Sequence, residues 1–300
     1  MNIEKRKKYG NTLTINGIDT VSGYVTGQIT DVSQGVSKAI SNINYSPQKD
    51  RTLVKINPNK VGGEEHLITR YSEFLRVMEL ILLGIGAWDI DYIRADFCFN
   101  STDLNSYEMY KKTNRLMLLC LSYAYGYRNT YETTDLWDGQ LLSMAIKKDD
   151  SEVEYYNKYL ASDGKDECAN RLEIRSKRMS GTTIQYQFLD RWFNRLDYAI
   201  EYFEEVQHRA NEKLKQRWEL DQASEKRQYY SFNAFLVQHE SNIFTRKQMI
   251  ELISELQPEV NAQKKADKLK ERYKIEYFTR KDLEYIVQVL KSKITEYFEQ

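Results

Sequence analysis

Two short segments place acids, bases and an amide on alternate residues. In Arg94-Ala95-Asp96-Phe97-Cys98-Phe99-Asn100, a period of two sets Arg94, Asp96 and Asn100 opposite the aromatic side chains. In Arg171-Leu172-Glu173-Ile174-Arg175-Ser176-Lys177, the same period sets Arg171, Glu173, Arg175 and Lys177 opposite Leu172 and Ile174. If the two strands share a sheet, one face carries two carboxylates and several arginines. Asp96 and Glu173, with the Asn100 amide, are oxygen donors suited to a hard cation such as Mg²⁺ or Mn²⁺. The guanidinium groups suit phosphate oxygens. An ordinary antiparallel sheet with one solvated face shows the same alternation.

Between these segments lies Tyr155-Tyr156-Asn157-Lys158. A tyrosine can attack a DNA phosphate and keep the bond energy in a phosphotyrosine. With a phenol pKa of about 10, it needs help from a cation, a metal or a base. Tyrosine is also a common packing residue, and this chain has 23 of them.

The elements that must position these residues read as α+β. Residues 12–15 followed by Asn16-Gly17 predict a hairpin, and a β-rich run continues over 20–29. A strand over 52–56 closes in Asn57-Pro58-Asn59-Lys60. An amphipathic helix is expected over 67–83, with Leu67, Tyr71, Phe74, Leu75, Met78 and Leu82 on one stripe and Gly84 and Gly86 as its stop. A strand over 90–99 and a helix over 106–123 come next. Strands over 141–146, 153–156 and 171–176 follow, separated by hairpin-like stretches at 147–152 and 161–169. The alternation predicts an antiparallel or mixed sheet with packed helices. From Asp190 the period is helical, and 190–220 reads as one long helix. A polar run over 222–228 divides a first domain, 1–225, from a small helical region, 226–300, expected to be a DNA-recognition or accessory domain that reads duplex DNA beside the cut. In that region Phe244-Thr245-Arg246-Lys247-Gln248 recurs as Phe278-Thr279-Arg280-Lys281-Asp282, which reads as two helices opened by the same N-cap signal.

Composition narrows the classes. Hydrophobic residues at 41% with only 3 prolines exclude a disordered or linker-rich chain. There are 44 basic and 44 acidic residues, so no overall positive field draws in nucleic acid and any DNA contact must be local. Two local stretches qualify: 171–178, and 264–274 with six basic against two acidic residues. No apolar run approaches the roughly 18 residues of a membrane span. The basic start, Met1 to Lys8, has no apolar stretch behind it and is not expected to be a signal peptide. Three scattered cysteines, Cys98, Cys120 and Cys168, fit a reducing cytoplasm. His66, His208 and His239 lie too far apart for a His-rich metal motif.

Taken in order, these motifs resemble the Rep_trans family of plasmid rolling-circle replication initiators and, more distantly, the filamentous-phage gene II protein. Ile56-Asn57-Pro58-Asn59-Lys60 is similar to the family's strand-ending Asn-Pro-Asn-Lys. Residues 94–100 are similar to its Arg-hydrophobic-Asp-x-x-hydrophobic-Asp. Tyr156-Asn157-Lys158 is similar to its nucleophile motif, and Arg171-Leu172-Glu173-Ile174 to its Arg-hydrophobic-Glu-hydrophobic. The resemblance covers roughly residues 50–180. Two positions depart from the pattern: Asn100 replaces a second aspartate, and Glu154 stands where plasmid initiators tend to carry arginine.

The resemblance implies a nicking domain that starts rolling-circle replication by cutting one origin strand through a 5′-phosphotyrosine and later rejoining it. Tyr156 would be the nucleophile, being followed directly by Asn-Lys and lying on the strand face opposite Val153 and Tyr155. Asp96 and Glu173, with Asn100, would hold Mg²⁺ or Mn²⁺, while Arg94, Arg171 and Lys158 would offset charge on the reacting phosphate. Implied partners are origin DNA with a locally extruded single strand, a host superfamily-one helicase and a second copy of the chain. A conjugative relaxase of the same family and a non-catalytic DNA-binding protein are the alternatives.

Overall fold

Runs rich in Ile, Val, Thr and Tyr pair into one sheet in the computed structural model, which describes residues 9–63, 67–103, 107–126, 128–134, 141–161 and 170–300. Its strands are β1 (Leu13–Thr26), β2 (Ile40–Ser46), β3 (Arg51–Ile56), β4 (Asp91–Ser101), β5 (Arg128–Thr134), β6 (Leu141–Lys148), β7 (Ser151–Tyr156) and β8 (Asn170–Lys177). They lie in the order β2-β3-β1-β4-β8-β7-β6-β5, every pairing antiparallel. The expected α+β class stands, and the strands carrying residues 94–100 and 171–177 are direct neighbours. β6 and β7 form the hairpin expected over 147–152. Its turn is pinned by Asp150, whose carboxylate accepts from Arg191 at 3.1 Å and Arg195 at 2.6 Å. The basic start to Lys8, His66, Cys168 and most of the expected 161–169 hairpin lie outside the described residues.

The hairpin expected at Asn16-Gly17 is not there. β1 runs straight through both residues as a 14-residue strand against β4 and β3. Gly17 is required by a close approach rather than by a turn: a Cβ at this position would sit 2.2 Å from the Ile68 carbonyl oxygen and 3.0 Å from Tyr297 Cε2. Both neighbours are fixed, one being backbone and the other a buried ring. We expect Gly17→Ala to cost about 2 kcal/mol, in the range of overpacked cores. Urea unfolding of the two proteins checks this, and equal midpoints would contradict it.

Helices pack on the apolar face of the sheet and, in the C-terminal part, against one another. They are α1 (Tyr71–Gly84), α2 (Tyr107–Tyr125), α3 (Phe193–Ile200), α4 (Phe203–Ala223), α5 (Phe232–Gln238), α6 (Arg246–Leu256), α7 (Ala262–Tyr273) and α8 (Arg280–Glu299). Phe97 of β4 shows the packing. Its ring lies 5.3 Å from Tyr297, 5.5 Å from Phe188 and 6.4 Å from Phe298. α1 begins at Tyr71, later than expected, and buries Phe74, Met78 and Ile81, whereas Leu75 is exposed.

The single long helix expected over 190–220 is broken. A short helical turn at Ile184–Tyr186 leads into a π-helix at Gln187–Trp192, then α3, and the chain bends at Glu201-Tyr202 before α4. No Gly or Pro marks the break. Each piece buries its own anchors in the sheet core instead: Phe188 and Trp192, then Leu196 and Ala199, then Phe203 and Val206.

Among the described residues, apolar side chains bury in two clusters. The first joins the sheet to α1–α3 and includes α8 through Leu283, Ile286, Leu290 and Ile294. The second runs from Leu214 to Ile275 and is built by α5, α6 and α7 with the far half of α4. The polar run at 222–228 therefore falls between two members of the second cluster, Leu214 and Tyr229. The repeated start signals are true caps. Thr245 accepts from the Gln248 amide, and Thr279 and Asp282 form a reciprocal capping box. The two copies also touch, since the Phe278 amide donates to the Phe244 carbonyl at 2.6 Å. Cys98 and Cys120 are buried free thiols, and no helix among the described residues is long and apolar enough to cross a membrane.

Candidate active site

Register, more than alternation, decides which polar residues meet. Across β4, β8 and β7 the polar face is a set of rows. Asn100, Arg171 and Tyr156 form one row; Cys98, Glu173 and Glu154 form the next; Asp96, Arg175 and Glu152 form the third. Arg94 and Lys177 pair beyond them. The row of acids is thus held between two rows that each contain an arginine.

Hydrogen bonds follow that layout. The Tyr156 hydroxyl donates to Glu173 Oε1 at 2.8 Å. Arg171 donates through Nε to Asn100 Oδ1 at 2.7 Å, and through Nη1 to Asp19 at 3.0 Å and Glu173 Oε1 at 3.3 Å. Arg175 donates through Nε to Glu173 Oε2 at 3.0 Å and through Nη2 to Glu154 at 2.6 Å, and its Nη1 bonds Glu152. It also lies 3.8 Å from Asp96 Oδ2. Arg94 grips Asp96 with both ends of its fork, at 2.8 and 2.7 Å. Tyr155, on the other face, is buried and donates to Asn170 at 3.0 Å. Sequence alternation therefore places the two tyrosines correctly: Tyr156 faces the charges, Tyr155 the core.

Burial sets the proton affinities. Desolvation pushes the Tyr156 phenol well above its ordinary value, and the neighbouring Glu173 charge adds to that. Burial also opposes ionisation of Glu173, but Arg175 and Arg171 outweigh it and hold the carboxyl below the usual range. Asp96 goes the other way, because burial outweighs its pairing with Arg94. Desolvation disfavours the Arg171 and Arg175 charges, yet the surrounding acids raise both above their ordinary value.

Not all the expected residues converge. Tyr156, Arg171, Glu173 and Asn100 do. Arg94 does not: it stands six residues along β4 from Asn100, a separation of roughly 20 Å at strand rise. Its fork serves Asp96 instead. Lys158 opens a short helix, Lys158–Ala161, two residues beyond Tyr156 at the end of β7.

The donors expected for a divalent ion are engaged as they stand. Both oxygens of Asp96 accept from Arg94, both of Glu173 accept from arginines or Tyr156, and the Asn100 oxygen accepts from Arg171. Among the described residues no group of three or more His, Cys, Asp or Glu side chains is arranged to hold a metal ion. In this arrangement guanidinium groups, not an open ligand position, neutralise the carboxylates.

Three participants were not singled out by the sequence motifs. Arg175 and Glu152 follow from the same alternation that selected Glu173 and Tyr156. Asp19 had no such signal. It reaches Arg171 from an irregularity in β1, where the register with β4 shifts between Ile18 and Thr20.

No family model and no curated protein sequence matches this chain. Among solved structures, the chain is similar to a rolling circle replication initiator protein from Geobacillus stearothermophilus, at 12% identity and a TM-score of 0.31, over 54% of this chain and 74% of that one.

Proposed function

We propose that this protein cuts one strand of DNA with Tyr156 and starts rolling-circle replication from the 3′ end so released. The observation that carries the proposal is the Tyr156 phenol hydrogen-bonded to Glu173, with Arg171 donating to the same carboxylate oxygen. The residues that make this contact are also those on which the motif resemblance rests.

In the proposed step, Tyr156 Oη forms a bond to phosphorus as the phosphorus–O3′ bond breaks. The phenol proton passes to Glu173, the departing 3′ oxygen takes a proton from water, and the hydroxide left behind takes the proton from Glu173, which restores the carboxylate. The product is a 5′-phosphotyrosine and a free 3′-hydroxyl, and rejoining is the reverse. Arg171 is placed to stabilise charge on the non-bridging oxygens. While both arginines bind Glu173 it is a weak base. A phosphate that draws Arg171 to itself removes one of these cations and raises the basicity of Glu173 as the substrate arrives. A Mg²⁺ or Mn²⁺ ion at Asp96 and Glu173 would have to displace Arg94 and Arg175 from them.

Supercoiled plasmid carrying a candidate origin, incubated with the protein in Mg²⁺, Mn²⁺ or EDTA, tests the reading. Nicked circles with protein on the 5′ end support it, whereas a gel shift with no nicking indicates a non-catalytic binder. Glu173→Gln should slow adduct formation on a single-stranded oligonucleotide by about 10² to 10⁴, the usual worth of general-base help. The loss should diminish as pH rises and hydroxide replaces the carboxylate. A loss restored by excess Mn²⁺ at constant pH would instead make Glu173 a metal ligand.

A further inference from the structure

The stretch 264–274 carries six basic and two acidic residues, which by itself describes any mixed helix face. Folding sorts the charges. Asp267 turns to α6, where Arg246 binds it through both Nε and Nη2 at 2.8 Å. Glu271 lines a separate hollow with Lys270 and Lys274. On the other side, α7 and α5 enclose a groove of about 370 Å³ walled by Asn233, Asn261, Lys264, Lys265, Lys268 and Arg272. No acid lines it among the described residues, and Glu259, near Lys265, stays outside the wall.

The cations of the groove have different roles. Lys265 is partly buried; burial lowers its pKa, and its ammonium rests 5.2 Å over the Phe232 ring and bonds Gln257. It is held in place. Lys264, Lys268 and Arg272 are exposed and follow at intervals of four residues, so they stand about 6 Å apart along the helix. In the wall beside them, the Asn233 side-chain oxygen is buried without a hydrogen-bond partner. Asn261 caps the 12-residue α7 by accepting from the Lys264 amide at 2.9 Å, which fixes the start of the helix at the edge of the groove.

We infer that this groove binds the sugar–phosphate backbone of double-stranded DNA. The ligand must be polyanionic and extended, because three cations along about 12 Å of helix face no protein acid. An α-helix with its side chains is about 10–12 Å across, which matches the roughly 12 Å major groove of B-DNA. α7, laid along that groove, puts Lys264, Lys268 and Arg272 on successive phosphates of one strand. The Asn233 side-chain nitrogen is able to donate to a phosphate oxygen. Backbone contacts of this kind fix register and orientation while leaving sequence choice to other groups.

The inference is independent of the nicking chemistry and is tested apart from it. Binding of the full chain to a 20-base-pair duplex of mixed sequence is measured against salt. Each phosphate contact contributes about 0.9 to the slope of log affinity against log salt. The triple variant K264A/K268A/R272A should therefore flatten the slope by about 2.7. The charge-matched control K38A/K55A/K247A, at exposed lysines elsewhere, should leave it unchanged. Circular dichroism of both variants confirms that they are folded. An unchanged slope in the triple variant, an equal loss in the control, or wild-type protein preferring single-stranded RNA or polyglutamate to the duplex would each overturn the inference. Tyr156→Phe should bind the duplex normally, so failure of the nicking reading leaves this result untouched.

Discussion

Tyr156→Phe should bind DNA and melt like the parent protein yet form no covalent adduct with a cleaved oligonucleotide. The substitution removes one hydroxyl from the polar face, and Glu173 keeps Arg171 and Arg175 as partners. Folding cost should stay within about 1 kcal/mol, the net worth of one hydrogen bond. Loss of activity should be complete, because Tyr156 is the hydroxyl that donates to Glu173, while Ser143, its cross-strand partner in the same row, carries an aliphatic hydroxyl, a poorer nucleophile and leaving group than a phenol. Tyr155→Phe should behave in the opposite way. It leaves Asn170 without the bond it accepts in the core and lowers stability, while the adduct still forms. Denaturing gels of protein–oligonucleotide mixtures report the adduct, and urea titrations report stability. An adduct that survives in Tyr156→Phe and disappears in Tyr155→Phe would reverse the assignment.

The largest loss of stability should follow removal of Arg175. Its side chain is only 14% exposed and faces Glu173, Glu154, Glu152 and Asp96 at once. Arg175→Met keeps much of the volume and removes the charge, taking from Glu173 its nearest cation and from Glu152 and Asp96 one of the cations beside them. Such losses run to about 3–5 kcal/mol. The pH dependence has a definite sign. In the parent, burial opposes the charge on Glu173 and Glu152, but cationic neighbours win and depress both pKa values. Their stabilisation is present above the unfolded value of about 4.3 and is lost as pH falls through the folded values. In Arg175→Met the same groups lose that cation and their folded pKa values rise, so acidification relieves the variant. Asp96, whose pKa burial already raises in the parent, works in the same direction in the variant. The gap between the two proteins in urea unfolding should therefore be widest near pH 7 and should narrow toward pH 4.5. A gap below about 1 kcal/mol at pH 7, or one that grows on acidification, would show that Arg175 is not the hub of the face.

Much of this protein follows from its sequence alone. The period of two in 94–100, 153–156 and 171–177 assigns each side chain to a face, because successive side chains of a strand point to opposite sides whatever the partner strand is. That is enough to send Tyr156 toward charge and Tyr155 toward the core, and to seat Phe97 and Phe99 under the helices. The Thr245 and Thr279 caps are equally local, each made within one turn of the residue that bonds it. Local pattern misleads where a distant group makes the demand. Asn16-Gly17 looks like a turn, but Gly17 is small because the Ile68 carbonyl passes 2.2 Å from where a Cβ would be. The break between α3 and α4 has no Gly or Pro to announce it, since it comes from where Trp192, Leu196 and Phe203 find the core.

What only tertiary structure decided is which residues of a face meet. Alternation gives Arg94, Asp96 and Asn100 the same side, but strand register puts Asn100 beside Arg171 and Tyr156 and leaves Arg94 far along the strand. It also makes Arg175 the common partner of four acids. α7 repeats the lesson, since its net charge is written in the sequence while the removal of Asp267 to Arg246 is not. The reason is physical: the face of a side chain is set by backbone geometry within one strand, whereas register and charge pairing depend on contacts between segments tens to more than a hundred residues apart.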